Sequence, residues 1–206
     1  GLTMKDAANG IIKCPYDEKT SLKELKSGTY TNENMKQAYM VSTLTTRPTN
    51  SVTLHFKPIK TTLKLTVKGM ADETHGTNLY LHAVWVTLKN KGKLYKENGQ
   101  LYYDYDIANE TALDATTPVT DDITFKYTFT KPQAIAKYGT ITLELLLPPV
   151  DIAAGDLTIS VKSAGWGENV AKNAKAFKAG KKITMTLPNF EFRDRVDLGL
   201  ASGLKW

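Results

Sequence analysis

The residues equipped for chemistry are few. Three histidines, His55, His75 and His82, and one cysteine, Cys14, stand in a chain of 206 residues. His75 lies in the segment ADETHGTN, close behind Asp72 and Glu73. That segment offers two carboxylates and one imidazole to a cation. Metal centres need fixed ligand distances and outer hydrogen bonds that orient the ligands. A polar loop with one histidine supplies neither, and a solvated loop is the plainer reading. His55 and His82 fall on expected strands, where sheet residues with satisfied ring nitrogens are commoner than a dyad. No GxSxG, HExxH or phosphate-binding glycine loop occurs. Cys14 follows Lys13 in NGIIKC. That is not the small-residue pattern of a lipoprotein cleavage site, and no electropositive pocket beyond Lys13 is suggested, so an ordinary thiol is expected. The carboxylate pairs are Asp104/Asp106 and Asp121-Asp122. The first pair alternates with Tyr103 and Tyr105 and reads as the wet face of a strand. Glycosidic cleavage needs a defined carboxylate separation across a cleft, which nothing here establishes. The expectation is a protein that is no enzyme and holds no metal or cofactor.

Aromatic residues are the other candidates. Tyr80, Tyr95, Tyr102, Tyr103 and Tyr105 gather around one hairpin, with Trp85 nearby. Rings on a sheet surface stack on sugars, and they also form cross-strand pairs, the commoner role. Tyr95, Tyr102, Tyr103 and Tyr105 are the candidates for ligand stacking.

The elements that position these groups alternate with a period of two. Val52, Leu54 and Phe56 share one face of SVTLHFKP, and Leu63, Leu65 and Val67 one face of TTLKLTVKG. The same holds for Ile123, Phe125, Tyr127 and Phe129, and for Ile141, Leu143, Leu145 and Leu147. Leu157, Ile159 and Val161 form another set, as do Ile183, Met185 and Leu187. Successive strand side chains point to opposite faces, so each run builds one apolar and one Thr/Lys-rich face. NLYLHAVWVTLKN is apolar on both faces and reads as a central strand. GQLYYDYDIA alternates Leu101, Tyr103, Tyr105 and Ile107, and Asn98-Gly99 before it is the strongest hairpin signal. Short helical turns are expected in SLKELKSG and NVAKNAKAFKAG. Many short strands with little helix predict an all-β fold, an antiparallel sandwich of Greek-key type or a barrel. A core containing Phe56, Leu65, Phe125, Phe129, Leu143, Leu145, Ile159 and Met185 follows.

Three stretches are distinguished. Residues 1–50, in which only QAYMVSTL looks like a strand, read as an irregular N-terminal extension or the remnant of a preceding domain. Residues 51–192 form the sandwich, and 193–206 a tail. The formal net charge is +6 and the pI about 9.2. The lysines are dispersed, and arginine occurs only as Arg47, Arg193 and Arg195, unlike the concentrated basic face of a nucleic-acid reader. A single cysteine excludes an internal disulfide. No apolar run has membrane-spanning length. The opening Gly1-Leu2-Thr3 lacks an initiator methionine, and a removed leader or tag is expected.

The order of the pieces resembles the fimbrillin-like proteins of Bacteroidales, the subunits of surface pili. NMKQAYMVS is similar to the segment that closes their first domain. SVTLHFKPIKTTLKLTVKG resembles their two strands around a short loop, with Phe56 and Leu63 matching. Pro58 replaces the usual histidine, and Thr61-Thr62 the usual Ser-Lys pair. AFKAGKKITMTL resembles their closing signature, and VDLGLASGLKW a phrase that often opens a further C-terminal module. The resemblance covers about Asn34 to Leu187. It implies a transthyretin-like β-sandwich, export as a lipoprotein to the outer membrane and cell surface, and polymerisation by strand addition in a fimbria. The partners would be other pilus subunits and a host or polysaccharide ligand, with membrane contact only through a removed lipid anchor. The first fifty residues are shorter than that family's N-terminal domain, through truncation or divergence. The rival expectation is a carbohydrate-binding surface module that does not polymerise.

The tail sharpens the question. Val196, Leu198 and Leu200 alternate with Asp197, Gly199 and Ala201, and Leu204 and Trp206 resume the apolar face after Gly203. A lone strand is ordered only when its backbone groups find partners. It therefore pairs with an edge of its own domain, donates to a neighbouring subunit, or opens a further module.

Overall fold

The computed structural model describes residues 2–33, 38–42, 51, 53–70, 78–89, 92–163 and 167–190. Among them are sixteen strands and no helix: β1 (Thr3–Asp6), β2 (Ile11–Tyr16), β3 (Lys19–Lys26), β4 (Thr29–Asn32), β5 (Met40–Val41), β6 (Lys57–Pro58), β7 (Thr61–Lys68), β8 (Leu79–Leu88), β9 (Leu94–Glu97), β10 (Gln100–Asp106), β11 (Thr111–Ala112), β12 (Ile123–Ile135), β13 (Thr140–Leu147), β14 (Leu157–Ser163), β15 (Gly167–Lys172) and β16 (Lys182–Thr186). The all-β, sandwich-like architecture expected from the alternation is what the chain forms. A nine-stranded sheet runs in the order β15-β14-β8-β12-β3-β4-β13-β7-β16. A smaller sheet runs β1-β2-β10-β11, with β9 also on β10, and β5-β6 is a separate ribbon.

The alternating runs behave as their pattern dictates. Leu63, Leu65 and Val67 of β7 are fully buried, as are Leu143 and Leu145 of β13 and Ile159 and Val161 of β14. Phe125 and Tyr127 of β12 are also buried, and Met185 of β16 packs against the cluster half-covered. β8 is central, between β14 and β12. Asn98 (φ 48°) and Gly99 (φ 79°) turn β9 into β10 with both residues in the left-handed region, as an Asn-Gly hairpin requires. Gly69 meets a different demand, because a Cβ there would stand 2.4 Å from the Ala136 carbonyl oxygen.

The first 33 residues are not an irregular extension. β2 lies in the small sheet and β3 in the large one, with only Asp17 and Glu18 between them, so one stretch crosses from sheet to sheet. The β3–β4 hairpin sits inside the large sheet. β3 pairs in parallel with β12 from Thr20↔Tyr127 to Leu22↔Phe129, and β4 pairs in parallel with β13 from Thr29↔Thr142 to Thr31↔Glu144. The expected helical turn in SLKELKSG is therefore strand. Hydrogen bonds on both sides outweigh the local helical spacing of Leu22 and Leu25, and Leu25 is left exposed. The helical turn expected in NVAKNAKAFKAG is also absent. Its first half is β15, held by the antiparallel register Ile159↔Ala171 and Val161↔Asn169.

At the end of β4 the large sheet loses a neighbour, and side chains replace it. Beyond Thr31↔Glu144 the Leu146 N–H donates to Asn32 Oδ1 at 3.2 Å. The Leu146 carbonyl accepts from Tyr127 Oη at 2.7 Å and also from Tyr16 Oη. Tyr16 belongs to the small sheet, and its ring meets Phe125 edge-on at 5.1 Å and 73°. Tyr30 of β4 meets Phe129 of β12 likewise, at 5.1 Å and 84°. These contacts fasten the hairpin and the small sheet to the main core.

Phe56 departs from the expected core. Residues 53–56 are not strand, and Leu54 and Phe56 are 44% and 55% exposed. Pairing starts only at β6, where Lys57 and Pro58 meet Val41 and Met40. The chain enters the core at Ile59, whose N–H donates to the Tyr39 carbonyl.

Candidate functional site

The nine-stranded sheet ends in two edges, β15 and β16, neither with a further strand beside it among the described residues. The backbone pattern states which groups each edge offers. Asn173 N–H donates to the Leu157 carbonyl, so Gly167, Asn169 and Ala171 turn their backbone groups toward β14. Glu168, Val170 and Lys172 then turn theirs outward. On the other edge the Leu187 N–H donates to the Thr66 carbonyl, and the Lys181 carbonyl accepts from Thr62. Lys182, Thr184 and Thr186 therefore direct their amides and carbonyls away from β7.

The two edges meet. Asn169 Nδ2 donates to the Pro188 carbonyl at 2.9 Å, joining β15 to the residue just past β16. Following the pairings across the sheet, antiparallel except for β12/β3, β4/β13 and β7/β16, leaves β15 and β16 running in opposite directions. The start of β15 thus faces the end of β16, as the Asn169–Pro188 bond requires. A seam is thus bordered by two edges that run antiparallel and are linked at this one point. The inward face of β15 there is small, with Asn169 and Ala171, whereas Ile183, Leu187 and Phe190 bury apolar side chains on the opposite border. Val170 is half exposed on the outer surface.

The stacking candidates are placed differently from their expected role. Tyr103 and Tyr105 are buried at 1% and 5% exposure, inside the core. β10 is covered by β2 on one side and by β9 and β11 on the other. Tyr95 and Tyr102 do come together, stacked at 5.9 Å and 25°, but Lys13 Nζ lies 4.3 Å from the Tyr102 centroid, and Lys5 Nζ 5.7 Å from that of Tyr95. Tyr95 Oη donates to Asp104 Oδ1 at 2.7 Å, and Lys5 pairs with the same carboxylate. Burial, reinforced by Asp104, pushes the Tyr95 hydroxyl well above the ordinary phenol range. Asp104 is thus buried under Tyr95 rather than on a wet face. Asp106 instead accepts from the amide and side chain of Asn109 in the turn after β10, which lowers its pKa.

Cys14 lies on β2, fully buried, and burial pushes its thiol up to about 12. His55 is exposed beside Tyr105 and Glu110, and His82 is exposed on β8. The two are not brought together. Asp72, Glu73 and His75 lie outside the described residues, as do the strand-donor candidates Val196, Leu198, Leu200, Leu204 and Trp206. The seam itself was not read from sequence. Its only sequence signals are Pro188 after a Thr/Lys-rich strand and the small residues of β15. Searched against known families and curated proteins, the chain matches no family model and no curated sequence.

Proposed function

We propose that this protein is a structural subunit of a bacterial surface fibre, of the fimbrillin-like type, assembling by strand addition at the β15/β16 seam. The observation that supports the reading is the Asn169–Pro188 contact, which links the start of one open edge to the end of the other, the two running antiparallel. An incoming strand gains main-chain hydrogen bonds on both flanks, and its alternate side chains face the apolar border of Ile183 and Leu187. A contact in which one copy donates and the next receives is head to tail and propagates into a fibre. The segment with Val196, Leu198 and Leu200 on one face is the donor proposed from the sequence. The proposed setting is the outer surface of the cell, and the partners are further subunits. The transthyretin-like form of the sandwich belongs to the same proposal.

The test uses proline at outward-facing amides. Val170→Pro and Thr184→Pro remove an edge donor that no ladder bond uses among the described residues, a place where proline is tolerated. Both variants should keep the wild-type melting temperature within a few degrees and lose self-association in light scattering and in mild-detergent ladders. Association at the wild-type level in both variants would refute the seam as the assembly site.

A further inference from the structure

A second concavity lies on the outer surface of the large sheet, on the half formed by β3, β4, β13, β7 and β16. It is an open pocket of about 310 Å³ into which Lys23, Lys60 and Lys182 converge, with the Thr62 side chain and the buried Leu146 on its wall. The strand register explains the convergence. Lys23 stands opposite Thr31, Thr31 opposite Glu144, and Thr62 between Leu146 and Lys182, so one patch of the sheet collects residues distant in sequence. Among the described residues Glu144 is the only carboxylate lining the pocket. It lies 3.2 Å from Lys182 Nζ, and Lys23 and Lys60 have no ion pair among the described residues. Three cations therefore share one anion.

We infer that this pocket is an oxyanion site that takes a phosphate- or sulfate-sized group, free or carried on a larger molecule. Ammonium groups and a threonine hydroxyl are donors suited to such oxygens, and charge-assisted hydrogen bonds are the strong ones. Burial holds the Lys60 pKa below the usual lysine value, with Glu144 opposing in part, as befits a partly desolvated cation short of a counter-ion. The wall formed by Leu146 and the exposed Leu25 lowers the local dielectric, while the open mouth keeps water close. Binding there weakens with salt. The site shares Lys182 with the β16 border of the seam, whereas Lys23 and Lys60 lie on neither edge.

The experiment is a titration of the isotopically labelled chain with inorganic phosphate, followed by amide resonances, at ionic strength held constant with sodium chloride. Saturable shifts are expected at residues 23, 31, 60, 62 and 182. K60Q should weaken binding about tenfold, and K68Q, at the far end of β7 and outside the pocket, should leave it unchanged. Should K60Q fail to fold, the exposed K23Q carries the same prediction. Methyl phosphate separates the two sources: binding within about threefold of phosphate means that the site takes a carried group, and loss of binding means free anion only. Shifts that stay linear with concentration, or an affinity unchanged in both K60Q and K23Q, would overturn the inference.

Discussion

Removing two hydroxyl groups together should cost far more than removing each alone. Tyr16 and Tyr127 come from different sheets, yet both donate to the Leu146 carbonyl, which lost its strand partner where β4 ends. Both rings are about 1% exposed. Tyr16→Phe deletes one hydrogen bond and leaves the carbonyl satisfied by Tyr127, so the expected cost is about 1 kcal/mol, and Tyr127→Phe should cost the same. The double variant deletes both bonds and buries an unpaired acceptor, adding about 1–3 kcal/mol. Its total should therefore be about 3–5 kcal/mol, with a coupling of about 1–3 kcal/mol between the two sites. Equilibrium urea unfolding of the four proteins, followed by tryptophan fluorescence and far-ultraviolet circular dichroism, closes the cycle. Additivity within about 0.5 kcal/mol would refute the view that side chains substitute for the missing strand at Leu146.

Three other outcomes follow from the same structure. Phe125→Ala should lose about 3–5 kcal/mol in urea unfolding, because it removes a fully buried ring and its edge contact with Tyr16; a loss below about 1 kcal/mol would mean that the ring is not in the core. Gly69→Ala should cost about 1–3 kcal/mol, since its Cβ would press on the Ala136 carbonyl; an unchanged melting temperature would contradict that approach. Cys14 should be silent to thiol reagents at pH 8 until the protein unfolds. Its ordinary value is 9.0 and burial raises it to about 12, so the unfolded thiol ionises first. The stability it contributes is whole below pH 9 and falls by about 1.4 kcal/mol per pH unit between 9 and 12, readable as a falling urea midpoint absent in Cys14→Ala.

Much of the sandwich was legible because alternation is a local signal. Ile123 to Phe129, Ile141 to Leu147 and Leu157 to Val161 bury the side that their pattern names. Non-local pairing was not legible. Nothing in TSLKELKSGTYTN says that two parallel partners, β12 and β13, will hold it as strand. The alternation of Leu54 and Phe56 looked like a strand, but among the described residues strand pairing begins only at Lys57, and both residues are exposed. Asp104 was on the correct face of β10, and what its sequence concealed was the cover over that face, from Tyr95 and Lys5. The seam is the furthest from sequence, since it arises from the order of nine strands and the Asn169–Pro188 contact between the two ends.

Hydrogen exchange read residue by residue, on the assembled and the monomeric protein, tests strand addition at the seam most directly. The outward amides of Glu168, Val170, Lys172, Lys182, Thr184 and Thr186 have no ladder partner among the described residues and should exchange fast in the monomer. On assembly they should slow on both borders together, by at least about a hundredfold, while the amides of β8 and β13, already bonded on both sides, stay unchanged. Assembly that leaves these six amides as fast as in the monomer would contradict the account.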